Sequence, residues 1–252
     1  MKTGRIHSIL MVAAALLVFS GCETYYPQCV DIPLIEHKGE VQLEGAAAYM
    51  DKTFVGHFSA AAGLTDHIAI QVHMHGLADK NGLEAQYMQI ATGYYNKTGR
   101  LNTEVYIGYG FRPFAYSLSS DAEPVPDGRD EGNVHIAFAQ FNLGWNHLAN
   151  SHIDIAFGLK VGFMHDWRIR TNYYYDWYNW DNGNNLSRWS TEQSIVGNRL
   201  LLEPTAEIRV GWTHFKPSLM IGYCHTFPDD YMICPWFVGS WLSVRLGLTY
   251  RF

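Results

Sequence analysis

From Gly39 onward, apolar and polar side chains alternate with a period of two rather than 3.6. Ile68, Ile70, Val72 and Met74 are interleaved with Ala69, Gln71, His73 and His75. Leu101, Thr103, Val105, Ile107 and Tyr109 alternate with Asn102, Glu104, Tyr106 and Gly108, and Ile153 to Phe163 alternates with Asp154, Ala156, Gly158, Lys160 and Gly162. The stretches around 200–210 and 242–252 repeat the pattern. Such alternation puts two chemically distinct faces on a strand. It predicts ten strands, near 40–49, 53–63, 67–76, 85–95, 101–116, 134–146, 152–167, 198–212, 215–225 and 237–252.

The connections alternate too. Gly63–Asp66, Tyr95–Arg100, His147–Ser151 and Trp212–His214 are short, whereas 77–84, 117–133, 168–197 and 226–236 are longer. The first connection, Met50–Lys52, is short and does not discriminate. Outer-membrane barrels have short turns at the periplasmic end and long loops outside, with an even number of strands. The last strand ends Leu248-Thr249-Tyr250-Arg251-Phe252, which resembles the assembly signal of bacterial outer-membrane β-barrels. That resemblance covers 39–252 as a pattern. It implies an all-β fold, an antiparallel up-and-down transmembrane barrel of about ten strands, and names no activity.

Energetics decides which face is which. Lys or Arg facing lipid at the midplane costs about 2–4 kcal/mol. Glu104, Asp154, Lys160, Glu203, Glu207, Arg209 and Arg245 all share the parity opposite their strand's apolar set, so they are expected to line the lumen as a charge network. A soluble, lipocalin-like ligand-binding barrel would invert the faces. The polar face here is rich in Gly and Ala and poor in Lys, which favours the membrane-embedded arrangement over a solvated one. Pro204 and Pro217 fall on the expected lipid face of neighbouring strands, where a missing N–H interrupts a ladder.

Upstream of the alternating region, Lys2 and Arg5 precede an apolar run from Ile9 to Phe19, the layout of an export signal. Phe19-Ser20-Gly21-Cys22 resembles the lipobox of bacterial lipoproteins. The resemblance implies removal of 1–21 and acylation of Cys22, hence a lipid-anchored outer-membrane protein. Residues 22–38 read as an extended tether and 39–252 as the barrel. No run of eighteen apolar residues exists, so a helix does not supply the span. Charged residues are 17% and aromatics 15%. Without 1–21 the 18 basic residues fall to 16 against 24 acidic, a balance of −8, which argues against a nucleic-acid partner. An exported location permits a disulfide, and Cys224 and Cys234 flank one loop, while Cys29 has no evident partner.

Candidate chemistry is sparse. The inward charges are expected mainly to neutralise one another and fill the lumen, with a narrow solute passage as the alternative. His57, His73 and His75 share a face and form a weak metal candidate, expected to gather if His57 lies opposite His73; no cofactor is otherwise implied. The connection 168–197 carries Tyr173, Tyr174, Tyr175, Trp177, Tyr178, Trp180 and Trp189 among amides and carboxylates, a composition that suits a protein or glycan partner. The bland readings are longer strands or an interfacial belt. The acidic connection 117–133 reads as a solvated loop. Hydrolase, phosphate-loop and dinucleotide signatures are absent, and only His165 and Asp166, with Ser187 or Ser190, sit where a rim enzyme would hold its residues. The expectation is a non-enzymatic, lipid-anchored outer-membrane barrel that is structural or binds partners through its loops. The alternatives are an accessory subunit of an outer-membrane assembly or transport complex, a narrow channel, and the soluble barrel.

Overall fold

The computed structural model describes residues 30–50, 53–79, 82–118, 127–175, 188–227 and 240–252. Ten antiparallel strands close into one barrel, each paired with its sequence neighbours, and β1 (Val41–Met50) seals against β10 (Ser240–Arg251). Between them run β2 (Thr53–Gly63), β3 (Ile68–Asp79), β4 (Gly82–Thr98), β5 (Leu101–Leu118), β6 (Asp127–His147), β7 (Ile153–Tyr175), β8 (Arg188–Val210) and β9 (Phe215–Phe227). Closure leaves no unpaired edge, the condition for a sheet to stand in lipid.

The alternation fixes the faces. Val105, Ile107, Phe141, Phe157, Val161, Phe163, Val244 and Leu246 are exposed on the outside, with Ile107 at 65%. Their neighbours in sequence, including Glu104, Tyr106, Asn142, Lys160 and Arg245, are buried inside. Exposed aromatics flank this apolar band: Tyr94, Trp145, Trp212, Phe215 and Tyr250 toward one end, and Tyr109, Phe111, Trp167 and Phe227 toward the other. An apolar exterior between aromatic girdles, around a charged interior, is the architecture of a membrane-spanning barrel. The soluble alternative required the opposite faces and is ruled out by this geometry.

The two ends differ. At one, strands turn through Leu64–His67, Gly99–Arg100, a helical turn at Leu148–Ser151, and Gly211–His214. At the other, strands run longer than their patterns predict. β7 and β8 reach 23 residues each, against 10 and 11 for β1 and β2. A spanning strand needs about 9–11 residues, so roughly half of β7 and β8 stands beyond the band. The expected loop 77–84 shrinks because β3 and β4 continue to Asp79 and from Gly82. The expected loop 168–197 is likewise mostly ladder, with Tyr173 paired to Ser190, Tyr174 to Trp189 and Tyr175 to Arg188. Long aromatic-rich, β-branched stretches continue a ladder once its first pairs are set. Pro204 and Pro217 do not disturb the register. The β8–β9 ladder skips from Leu202–His225 to Thr205–Gly222 around Pro204, and ends at Arg209–Ser218, next to Pro217.

If Ile107 faces the hydrocarbon, Ile107→Arg destabilises the barrel by about 2–4 kcal/mol in urea unfolding from lipid vesicles, whereas Thr98→Arg at the turn end costs about 0–1 kcal/mol. Equal, small effects would place the apolar exterior outside lipid.

Candidate functional site: a lumen filled by its own chain

The expected tether does not behave as one over its described part. Residues 30–35 lie inside the barrel, with Val30, Asp31, Ile32, Leu34 and Ile35 all buried. The stretch contains Ile32-Pro33, which suggests an extended tether in the sequence. Yet four of its six residues are apolar, and the lumen offers space where inward glycines omit side chains. A Cβ at Gly144 would stand 2.5 Å from Leu34 Cδ1, and one at Gly158 would stand 3.0 Å from the Ile32 side chain. Leu34 adopts a left-handed conformation (φ 54°), which costs a leucine roughly 1–2 kcal/mol. Its complete burial against the wall offsets that.

A non-helical, non-strand segment in a water-poor lumen needs partners for its backbone groups. Wall side chains supply them. The Val30 N–H donates to Thr205 Oγ1 (2.9 Å) and the Ile35 N–H to Glu104 Oε1 (2.7 Å). Gln140 donates to the Asp31 carbonyl (2.7 Å), Asn102 to that of Ile35 (2.6 Å), and Arg209 to those of Ile32 and Pro33. Two backbone bonds, Gly39 N–H to Gly63 O and Gly63 N–H to Glu40 O, then fasten the segment to the turn end before β1 begins.

All seven charges expected in the lumen are buried there. Lys160 pairs with Glu203 across the β7–β8 ladder, and Arg209 grips Glu207 through two bonds of 2.6 and 2.9 Å. Asp154 takes Lys216 (2.7 Å), a partner that strand parity alone does not identify. Glu104 and Arg245 turn instead to the inserted segment. Arg245 binds Asp31 (2.8 Å) and Glu44 (3.4 Å). Arg112, Asp166, Arg168, Arg199 and Glu44 are further buried charges on inward positions. The alternation identifies them by the same rule that selects the seven.

Near the turn end, Glu36 meets Lys97, His147 (2.8 Å) and Arg251 (3.3 Å). Burial pushes its carboxyl upward, but Lys97, Arg251 and His147 together outweigh that and hold it below the usual glutamate range. A cavity beside the segment, lined by Asp31, Gln42, Glu44, Ser59 and Gln71 among others, holds about 10 Å³, room for roughly one water.

The remaining candidates separate. His57 stands opposite His75, not His73, which instead faces Ser59. The three rings nonetheless cluster, and His73 pairs with Asp31. No group of three or more His, Cys, Asp or Glu forms a ready metal cage among the described residues. His165 and Asp166 cannot cooperate as a rim pair. Neighbours on a strand face opposite sides; Asp166 is buried inside, while His165 shares the outward parity of Phe163 and Trp167 and contacts Asn198 (2.7 Å). Ser190 lies on the β8 extension and Ser187 outside the described residues. Cys224 is a buried free thiol facing the lumen rather than half of a loop bridge. Cys22, Cys29, Cys234, Trp177, Tyr178 and Trp180 lie outside the described residues, as do 119–126 of the acidic connection 117–133, whose two ends are not solvated loop but continue the β5–β6 ladder.

These features define a membrane-spanning β-barrel occupied by its own N-terminal segment. No model of a known family matches the chain, and no curated protein does. Among solved structures it is similar to the outer membrane protease OmpT of Escherichia coli (7% identity, 85% of this chain and 94% of that one, TM-score 0.48). It is also similar to the translocator domain of the autotransporter NalP of Neisseria meningitidis (11%, 99% and 95%, TM-score 0.46) and the N-terminal barrel of Pseudomonas aeruginosa OprF (10%, 85% and 98%, TM-score 0.36).

Removing one member of a buried ion cluster strands the others, at about 3–5 kcal/mol. Arg245→Met, which leaves Asp31 and Glu44 facing each other, is expected to lose that much stability in urea unfolding. A change within 0.5 kcal/mol would show that the cluster is hydrated.

Proposed function

We propose that this protein is a non-enzymatic, non-conducting outer-membrane barrel lipoprotein that presents its tall rim to a partner outside the cell. The observation that carries the reading is the filled lumen: inserted chain and paired charges occupy the space that a transported solute would need. The narrow-channel alternative is correspondingly disfavoured. With short turns at the periplasmic end, the long β7–β8 hairpin points outward. It brings the backbones of Tyr173, Tyr174, Tyr175 and Trp189 to its far part, where rigid aromatic rings suit a glycan or another outer-membrane protein.

The lipid anchor rests on the Phe19-Ser20-Gly21-Cys22 motif. Eight peptide steps separate Cys22 from Val30 in the lumen and span at most about 26–29 Å. That reach extends from mid-lumen to a membrane boundary, so an anchored Cys22 and an inserted 30–35 are compatible. An accessory-subunit role is the second reading, favoured by the exposed Pro204 and Pro217, where the outer ladder is interrupted.

Radiolabelled palmitate and carbonate extraction test the proposal together. The wild-type chain is expected to take up label and remain with the membrane pellet. Cys22→Ala behind an ordinary cleavable signal is expected to lose the label and still pellet. Release of that variant would make the lipid the sole anchor, and label on the variant would remove Cys22 as the acylated residue.

A further inference from the structure

The four turns at the short-turn end, all among the described residues, repeat one feature. The residue that leads into the next strand is His67 before β3, Arg100 before β5, His152 before β7 and His214 before β9, and each of the four is exposed. Asp66 is the one acidic residue in these turns, although the chain as a whole carries 24 Asp and Glu against 18 Lys and Arg. A basic side chain recurring at one structural position, against the sign of the overall composition, points to an anionic partner at that level.

The three histidines are also held alike. Each turns Nδ1 to a backbone carbonyl of the adjoining chain: His67 to Tyr95 (3.4 Å), His152 to Gly211 (2.8 Å) and His214 to Arg251 (2.9 Å). A carbonyl only accepts, so Nδ1 carries the proton and Nε2 is the nitrogen left for the surroundings. Those surroundings are the aromatic girdle. His67 stacks on Tyr94, with ring centroids 5.3 Å and planes 17° apart. His152 bonds to the residue before Trp212, and His214 lies between Trp212 and Phe215 in sequence. Such girdles mark the level at which hydrocarbon gives way to headgroups.

We propose that His67, Arg100, His152 and His214 form a collar that binds the phosphate headgroups of anionic phospholipids in the leaflet at the turn end. The Arg100 guanidinium supplies a fixed charge with donors that match phosphate oxygens. Each pinned imidazole presents Nε2, which donates to a phosphate oxygen once it takes a proton. The occupant is lipid rather than a soluble polymer because the histidines are joined to the girdle itself. Anionic headgroups attract basic side chains at the membrane surface. The collar is independent of acylation at Cys22 and of any partner at the far rim.

The test is urea unfolding of the purified protein from phosphatidylcholine vesicles with and without added phosphatidylglycerol, in mildly acidic buffer where free imidazole is charged. The variant is His67→Asn/His152→Asn/His214→Asn, because the asparagine amide still donates to the same carbonyl but reaches no headgroup. The anionic lipid is expected to raise the folded-to-unfolded ratio of the wild type, and the triple variant to lose about fivefold of that gain for each histidine. If the triple variant does not fold, the three single variants, read in the same way, decide. No gain in the wild type, or a gain that survives intact in a folded variant, would overturn the collar. A loss of stability equal in both kinds of vesicle would also overturn it, because the histidines would then be strand-end caps alone.

Discussion

A charge taken from water into a narrow barrel must meet an opposite charge or a fixed dipole, and in this protein that requirement organises the interior. The lipid face excludes charged side chains, so the strand alternation gathers them inside. Once gathered, they leave no room for bulk water to solvate them. Lys160 with Glu203, Arg209 with Glu207 and Lys216 with Asp154 are solved within the wall. Arg245 and Glu104 are solved by the chain that enters from the turn end, through Asp31 and the Ile35 N–H. The same segment has exposed backbone groups of its own, and these satisfy Asn102, Gln140 and Arg209 in return. Wall and insert are thus one hydrogen-bonded unit, and removing either leaves buried polar groups that the other cannot satisfy.

This constraint links the interior to what the protein presents outside. A filled lumen has no passage to offer, so recognition falls to surfaces beyond the membrane. The strand lengths follow the same division. The side from β4 to β8 is built from strands of 17 residues or more, with β1 to β3 and β10 at 10–12. One side of the rim therefore stands well above the other.

Period-two alternation made the strand count, order and faces readable, because lipid punishes a misplaced charge at every row. Ile107 outside and Glu104 inside follow from parity alone. The strand ends were harder, since nothing lipidic constrains the far part of β7 and β8, and Tyr173–Tyr175 reads equally as loop or ladder. The inserted segment was missed because a chain that borrows hydrogen bonds from a wall needs no period of its own. Its signals are non-local: the apolar run Val30–Ile35 and the inward Gly144 and Gly158 that make room for it. The histidine register was off by one row. Direct pairing of His57 with His75 depends on the turn geometry at Leu64–His67, where Thr65 Oγ1 accepts from His67 and Ile68.

Planar-bilayer conductance of the wild-type protein beside a variant lacking residues 23–38 tests the filled lumen most directly. The structure predicts a silent wild type, and a variant that conducts small ions once its lumenal charges lose the insert and take up water. A conducting wild type, or an equally silent variant that is folded and as stable as the parent, would contradict it.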